Sequence, residues 1–411
     1  MKRLMTVFTF LSFLLLLVAC SDTDASQNEK LELYMSGDTV ESSALTKMAE
    51  KYTEETGVEI EIVDIPYDDL FTKISNKIRS NDVPALARVT GFEPIWKDHL
   101  LDLKDIAERH NVNTDYGVTF DGKLVAPPLD LTAVGMFINA DLFEEAGVAY
   151  PTSDDDIWTW DEFIDSLEKV LEKTDAKYGM VMDDTENRLR AFLYQHGSDD
   201  LYEENGAYTT NSETKEAIQK FVDLNDDRIM PKSVWTAGED AASMFKSGLV
   251  AAYMSGSWQI VDFTETITDF EWKSVYMPYE DVRSTNLGGN YLIAFDGSGQ
   301  EEEAKEFIDW LYEKENYEEL AKLGGYLPVI ADAEIEYEYE TEAHEIYENE
   351  IAASDPIASY ERTELTKKQL ISQSNANGTL FKEVKRILNK EIDIDEAIEN
   401  TKKAYTDAYV E

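Results

Sequence analysis

Cys20 is the only cysteine in this 411-residue chain. Everything after it must hold together without a disulfide, a thiolate metal site or a cysteine nucleophile, so stability has to come from packing. Roughly 390 residues beyond that point suffice for two domains of about 150–200 residues each, and a hydrophobic share of 43% is ordinary for a globular chain. No later stretch offers the roughly 18 unbroken apolar residues that a spanning helix needs.

What precedes the cysteine explains its position. Lys2 and Arg3 lead into an apolar run from Leu11 to Ala19, which reads as a secretory signal peptide over 1–19. Leu17-Val18-Ala19-Cys20 looks like the bacterial lipobox. That resemblance implies that Cys20 receives a lipid, becomes the first residue after cleavage, and anchors the protein to the extracellular face of the cell membrane. A plain cleaved signal and an uncleaved anchor helix are the alternatives. The polar, aperiodic stretch that follows reads as a flexible tether over 20–29.

Thirty-seven basic against 85 acidic side chains give a formal net charge of −48. Such a surface repels nucleic acid and anionic headgroups. The acids are scattered along the chain, which suits a solvated face in a saline exterior, while attraction of cationic solutes is the second reading.

Leu31 to Met35 alternates like a strand, Ala44, Met48, Ala49 and Tyr52 recur at helical spacing, and Val58 to Val63 alternates again. Strand, helix and strand in about 30 residues open a parallel α/β sheet, whose ligands bind beyond the carboxyl ends of the strands. Ser36 to Glu41 and Asp64 to Tyr67 are therefore candidate site loops. Thr159 with Glu162 predicts a capping box, and the spacing predicts helices from Asn211 to Leu224, around Ala304 to Leu311, and after Asp395. Val134 to Ile138 is an apolar run, and strands are expected at Tyr276 and over Tyr291 to Phe295. The acidic, tyrosine-rich stretch from Asp332 to Glu350 is expected to be a solvated surface segment.

Several segments, read in order, carry a family pattern: Asp121 to Pro128, Phe137 to Gly147, Thr159 to Phe163, Met244 to Trp258, Gly288 to Tyr291 and Gly324 to Val329. Together they resemble the bacterial extracellular solute-binding proteins of ABC importers, the sugar-binding family that includes maltose-binding protein. Leu249-Val250 departs from the usual lysine-alanine of that pattern. The resemblance implies a periplasmic-binding-protein-like type II α/β fold, with two discontinuous lobes joined by hinge segments. The expected division is 30–133 with 280–326 for the N-lobe, and 134–279 with 327–411 for the C-lobe. It further implies a monomer that captures a sugar or oligosaccharide by closing, uses no cofactor, and delivers its ligand to ABC permease transmembrane subunits.

Sugar rings stack an apolar C–H face on aromatic planes and need fixed partners for their hydroxyls. Trp258, just after Gly256-Ser257, is the stacking candidate, with a core tryptophan as the bland alternative, and Gly256 would let backbone approach the ligand. Asp38, Glu41 and Asp130 are candidate hydroxyl acceptors, though solvated carboxylates are equally expected in so acidic a chain. Tyr67, Thr90, Asn290 and Tyr326 complete the expected site, and Arg88 either donates to the ligand or pairs with an acid.

Other chemistries fit less well. Gly117 to Leu124 approaches a phosphate-binding loop, but Leu124 stands where a metal-binding Ser or Thr belongs, and Asp121-Gly122 reads as a hairpin turn. The four histidines show no metal spacing. An external glycoside hydrolase needs only two carboxylates and remains a rival. So does a binding protein for a cationic solute or a peptide.

Overall fold

A computed structural model describes residues 30–36, 40–337, 341–372 and 374–410. The signal peptide, Cys20, the tether and Asp38 lie outside the described residues. From Leu31 onward the chain forms one unit built around two sheets.

The strands, in chain order, are β1 (Leu31–Met35), β2 (Ile60–Asp64), β3 (Leu86–Val89), β4 (Val118–Phe120), β5 (Lys123–Ala126), β6 (Thr132–Asn139), β7 (Tyr178–Met182), β8 (Tyr202–Glu204), β9 (Ala207–Thr209), β10 (Val250–Gly256), β11 (Trp272–Val275), β12 (Leu287–Gly288) and β13 (Tyr291–Ala294). The first sheet runs β13-β3-β1-β2. Strands β3, β1 and β2 are parallel, and β13 lies antiparallel to β3 with Tyr291 opposite Val89. The second runs β11-β6-β10-β7, with β12 also on β6 and with β7 and β10 parallel.

The alternation read in β1 sorts its side chains between two cores. Leu31, Leu33 and Met35 join the larger core with Leu45, Met48 and Tyr52 of the helix Val40–Thr56. Tyr34 faces the other way, onto a smaller core with Val89, Trp96, Ile293 and Phe295. A strand covered on both faces is what a parallel sheet demands. The larger core continues into the second sheet through Leu131, Val134, Phe137 and Met254.

Local signals formed as their chemistry requires. The Thr159–Glu162 capping box opens the helix Trp160–Lys173, and Asn211 caps Ser212–Leu224. Asp121 and Gly122 both have positive φ, of 53° and 78°, and turn the β4–β5 hairpin.

The solvated reading of Asp332 to Glu350 is corrected. Thr341–Ala353 is a helix, and Ala343, His344, Tyr347 and Glu350 on it are buried. Glu350 accepts from the backbone N–H of Met277 at 2.8 Å, and its carboxyl is raised above its ordinary range by burial. The apolar and polar groups at 343, 347 and 350 share one helical face, a stripe masked by the density of exposed acids around it.

Candidate functional site

Three strands of the first sheet and two of the second point their carboxyl ends at the segments that carry the site candidates. After β2 and β3 come Tyr67 and Thr90, whose hydroxyls lie 3.1 Å apart. Both are exposed, Tyr67 to 64%. After β1 comes Ser36, whose carbonyl accepts from Arg88 Nη1 at 3.4 Å. Glu41 falls in the first turn of the helix Val40–Thr56. That helix abuts Gln259–Thr266, the helix that follows Trp258.

Where the chain passes between the sheets, Asp130 is fully buried. Its Oδ1 accepts from the Asn290 backbone N–H at 2.9 Å, and both of its oxygens accept from the Asn290 side-chain amide, at 3.1 and 2.9 Å. Arg88 Nη2 stands 3.6 Å from Asp130 Oδ2, and the Arg88 guanidinium lies 5.8 Å from the centre of the buried Tyr326 ring. Four of the residues singled out from sequence thus meet in one cluster. Arg362 enters it from a five-residue π-helix, Glu361–Leu365, donating from Nη2 to the Asp130 carbonyl at 3.3 Å and stacking on Tyr291 at 4.6 Å. Gly289, at φ 128°, has no room for a Cβ, which would sit 2.2 Å from the Asp130 carbonyl oxygen. In this cluster Asp130 and Asn290 spend their polar groups on each other and hold two chain crossings together.

Trp258 stands at the end of β10. Every residue of that strand is buried and Trp258 is half-buried, which is not the environment of a core tryptophan. The Ser257 N–H donates to the Ala133 carbonyl at 3.1 Å, fixing the Trp258 backbone to β6 three residues beyond Asp130. The absent side chain of Gly256 makes room for the Trp258 ring itself, since a Cβ there would lie 1.7 Å from a ring carbon. The space was expected to serve the ligand and is filled by the Trp258 ring.

Arg188 places its guanidinium 4.3 Å from the centre of the Trp258 ring. Asp183, just past β7, accepts from Arg188 Nε at 2.8 Å and stands 2.7 Å from its Nη2. Asp183 also accepts from Ser255 Oγ at 2.8 Å and from the Tyr253 hydroxyl. Burial, and then the Asp183 carboxylate, hold that phenol well above its ordinary range, so it remains a donor. A planar guanidinium gripped by one carboxylate has little rotamer freedom left, which fixes the indole it stacks on. Arg188 and Asp183 were not singled out from sequence. Their only local trace is an Asp five residues before an Arg at the start of a helix, in a chain with 85 acids.

Among the described residues there is no cluster of His, Asp or Glu arranged to hold a metal ion, and no helix is long and apolar enough to cross a membrane.

A family model described as bacterial extracellular solute-binding protein matches residues 47–345. A lactose-binding protein from Rhizobium radiobacter is 25% identical over 206 residues, covering 48% of this chain and 47% of that protein. An arabinooligosaccharide-binding protein from Bacillus subtilis (strain 168) is 23% identical over 333 residues, covering 75% of this chain and 76% of that protein. The chain spans about half the length of the first of these curated relatives. Among solved structures, a maltose-bound protein of T. maritima matches with a TM-score of 0.73 at 21% identity, over 91% of this chain and 98% of that one. The likeness shows the type II fold of maltose-binding-like proteins, as the motifs implied. The matched proteins bind substrates and are not enzymes.

Proposed function

Because this chain belongs to the bacterial extracellular solute-binding proteins, we propose that it captures a sugar or oligosaccharide for an ABC importer, with Trp258 as the stacking platform. The observation that carries the reading is a half-buried tryptophan whose ring is braced by Arg188 and Asp183 beyond the carboxyl ends of two parallel strands. A braced aromatic plane with polar groups around it suits a ring that is apolar on its face and hydroxylated at its edge. The names of relatives, lactose-binding and arabinooligosaccharide-binding, agree with that chemistry.

The chain makes and breaks no bond in this mechanism. The two α/β lobes, divided near residues 133, 280 and 326, close on the solute, and the ligand shifts the open–closed equilibrium by its differential affinity for the two states. Tyr67 and Thr90 contribute from the first lobe, and Glu41 from the first turn of the helix after β1, with Asp38 three residues before it in the sequence. Asp130, Asn290 and Tyr326 act at the crossing, where the cluster they form sets how the lobes meet. Cys20 carries the lipid that keeps the monomer at the outer face of the membrane, beside the permease subunits that take the solute.

A thermal-shift screen of the protein against mono- and oligosaccharides, polyamines and short peptides tests this. A ligand of the native state alone adds about 2.7 kcal/mol at a hundredfold excess over Kd. A shift with one class of glycan is the expected result. Shifts confined to polyamines or peptides replace the ligand, and release of product from an oligosaccharide overturns the reading altogether.

A further inference from the structure

Between residues 360 and 371 the chain alternates between two cores. The Tyr360 hydroxyl donates to the Leu201 carbonyl at 2.8 Å, and Leu365 is buried in a small cluster with Leu201, Tyr208 and Tyr405. Arg362, between them in sequence, turns to the first sheet instead. It donates from Nε to the Tyr116 carbonyl at 3.1 Å, and its own carbonyl accepts from the Tyr291 hydroxyl at 3.0 Å. In the helix Thr366–Ile371, Lys368 stands over the Tyr208 ring at 4.7 Å, whereas Leu370 is buried in the core of Trp96 and Ile293. The stretch also reaches both halves of the candidate site. Gln369 is buried beside Gly91, next to Thr90, where a Cβ would lie 3.1 Å from its Oε1. Tyr360 lies 6.0 Å from the guanidinium of Arg190, on the helix that carries Arg188.

Such a stretch has no slack. Leu365 and Leu370 are separated by about 7.5 Å of helix, so the cores they enter cannot move far apart unless an anchor lets go or the helix unwinds. The anchors include the π-helix Glu361–Leu365, a rare form found mostly as single turns and often at functional sites. On the lobe division proposed above, the cluster at Leu365 belongs to the second lobe and the core at Leu370 to the first. Resting on the reading of capture by closure, we propose that residues 360–371 are a connection additional to those near 133, 280 and 326, a strap that limits how far the lobes part or close. Hinged closure is absorbed by a few residues at element ends, and the π-helix is where this strap gives. Its hold therefore enters the open–closed balance that the solute shifts.

The experiment measures the distance between nitroxide labels on Glu61→Cys, exposed in β2, and Glu216→Cys, exposed on the helix Ser212–Leu224, by pulsed electron spin resonance. It uses the ligand-free full chain in mild detergent, with Cys20→Ser removing the native thiol. With the strap intact, one narrow distribution is expected. Leu370→Ala, which frees the first-lobe end, is expected to widen it roughly twofold. Arg362→Lys keeps the charge but loses the planar fork that meets the Tyr116 and Asp130 carbonyls, and is expected to widen it less. It carries the test by itself if melting shows that Leu370→Ala does not fold. Widening in either folded variant supports the strap. Equal widths in every folded variant overturn it, as does an intact strap whose distribution is already as wide. No ligand enters the measurement, so a negative result leaves the sugar-binding reading standing, and the glycan screen tests that reading separately.

Discussion

At the end of the first sheet, Tyr67 and Thr90 are exposed and share one hydroxyl contact of 3.1 Å. At the end of the second, Asp183 gathers Arg188, Ser255 and Tyr253, and the guanidinium it holds is stacked on Trp258. An exposed tyrosine keeps more side-chain freedom to lose on binding, whereas an indole braced by charge-assisted hydrogen bonds is ordered beforehand and costs less entropy. On the function proposed above, the second sheet would supply the pre-formed half of the site and the first the adjustable half.

Cutting the joint between these regions gives the largest effect. Asp130→Ala removes the carboxylate that Asn290 and Arg88 face in the buried crossing, and is expected to cost about 3–5 kcal/mol in denaturant unfolding. A loss under 1 kcal/mol would move Asp130 from the frame to the ligand.

Acid should strike the braced half selectively. His196 ends the helix Glu186–Gln195 that carries Arg188, is packed on Trp160 and Phe192, and has its pKa lowered to about 4, chiefly by burial. The unfolded chain takes up this proton near pH 6.5 and the folded chain only near 4, so stability falls as pH drops through that window, by about 3 kcal/mol. His196→Phe should flatten that slope in a pH series of melting curves.

Trp258→Ala is expected to weaken glycan binding by about 1–3 kcal/mol, and Tyr67→Ala by about 0.5–1.5 kcal/mol, both read by titration calorimetry. If the tyrosine costs more than the tryptophan, the contrast between the two halves is inverted.

The elements with short-range causes were legible before any coordinates. Alternation marked β1, the Thr159–Glu162 pair marked a helix start, and Asp121-Gly122 marked a turn, because each signal is complete within a few residues. Trp258 was singled out through the Gly-Ser that precedes it, and the structure leaves it half-buried at the end of β10. Its brace was not legible, since Asp183 meets Tyr253 and Ser255 across about 70 residues of sequence. Asp130 and Asn290 were both singled out for the ligand, and nothing local revealed that they would bond to each other. Tyr347 was read as part of a solvated acidic run because its burial depends on a glycine in β6, about 200 residues earlier.

The antiparallel seating of β13 on β3 has a consequence in time. Val89 waits about 200 residues for Tyr291, so a growing chain carries the first sheet with an open edge until most of the protein has been made. Such long-range pairing is slow to form. In a polypeptide with this order of strands, every strand of the second sheet is made before the first sheet receives its last.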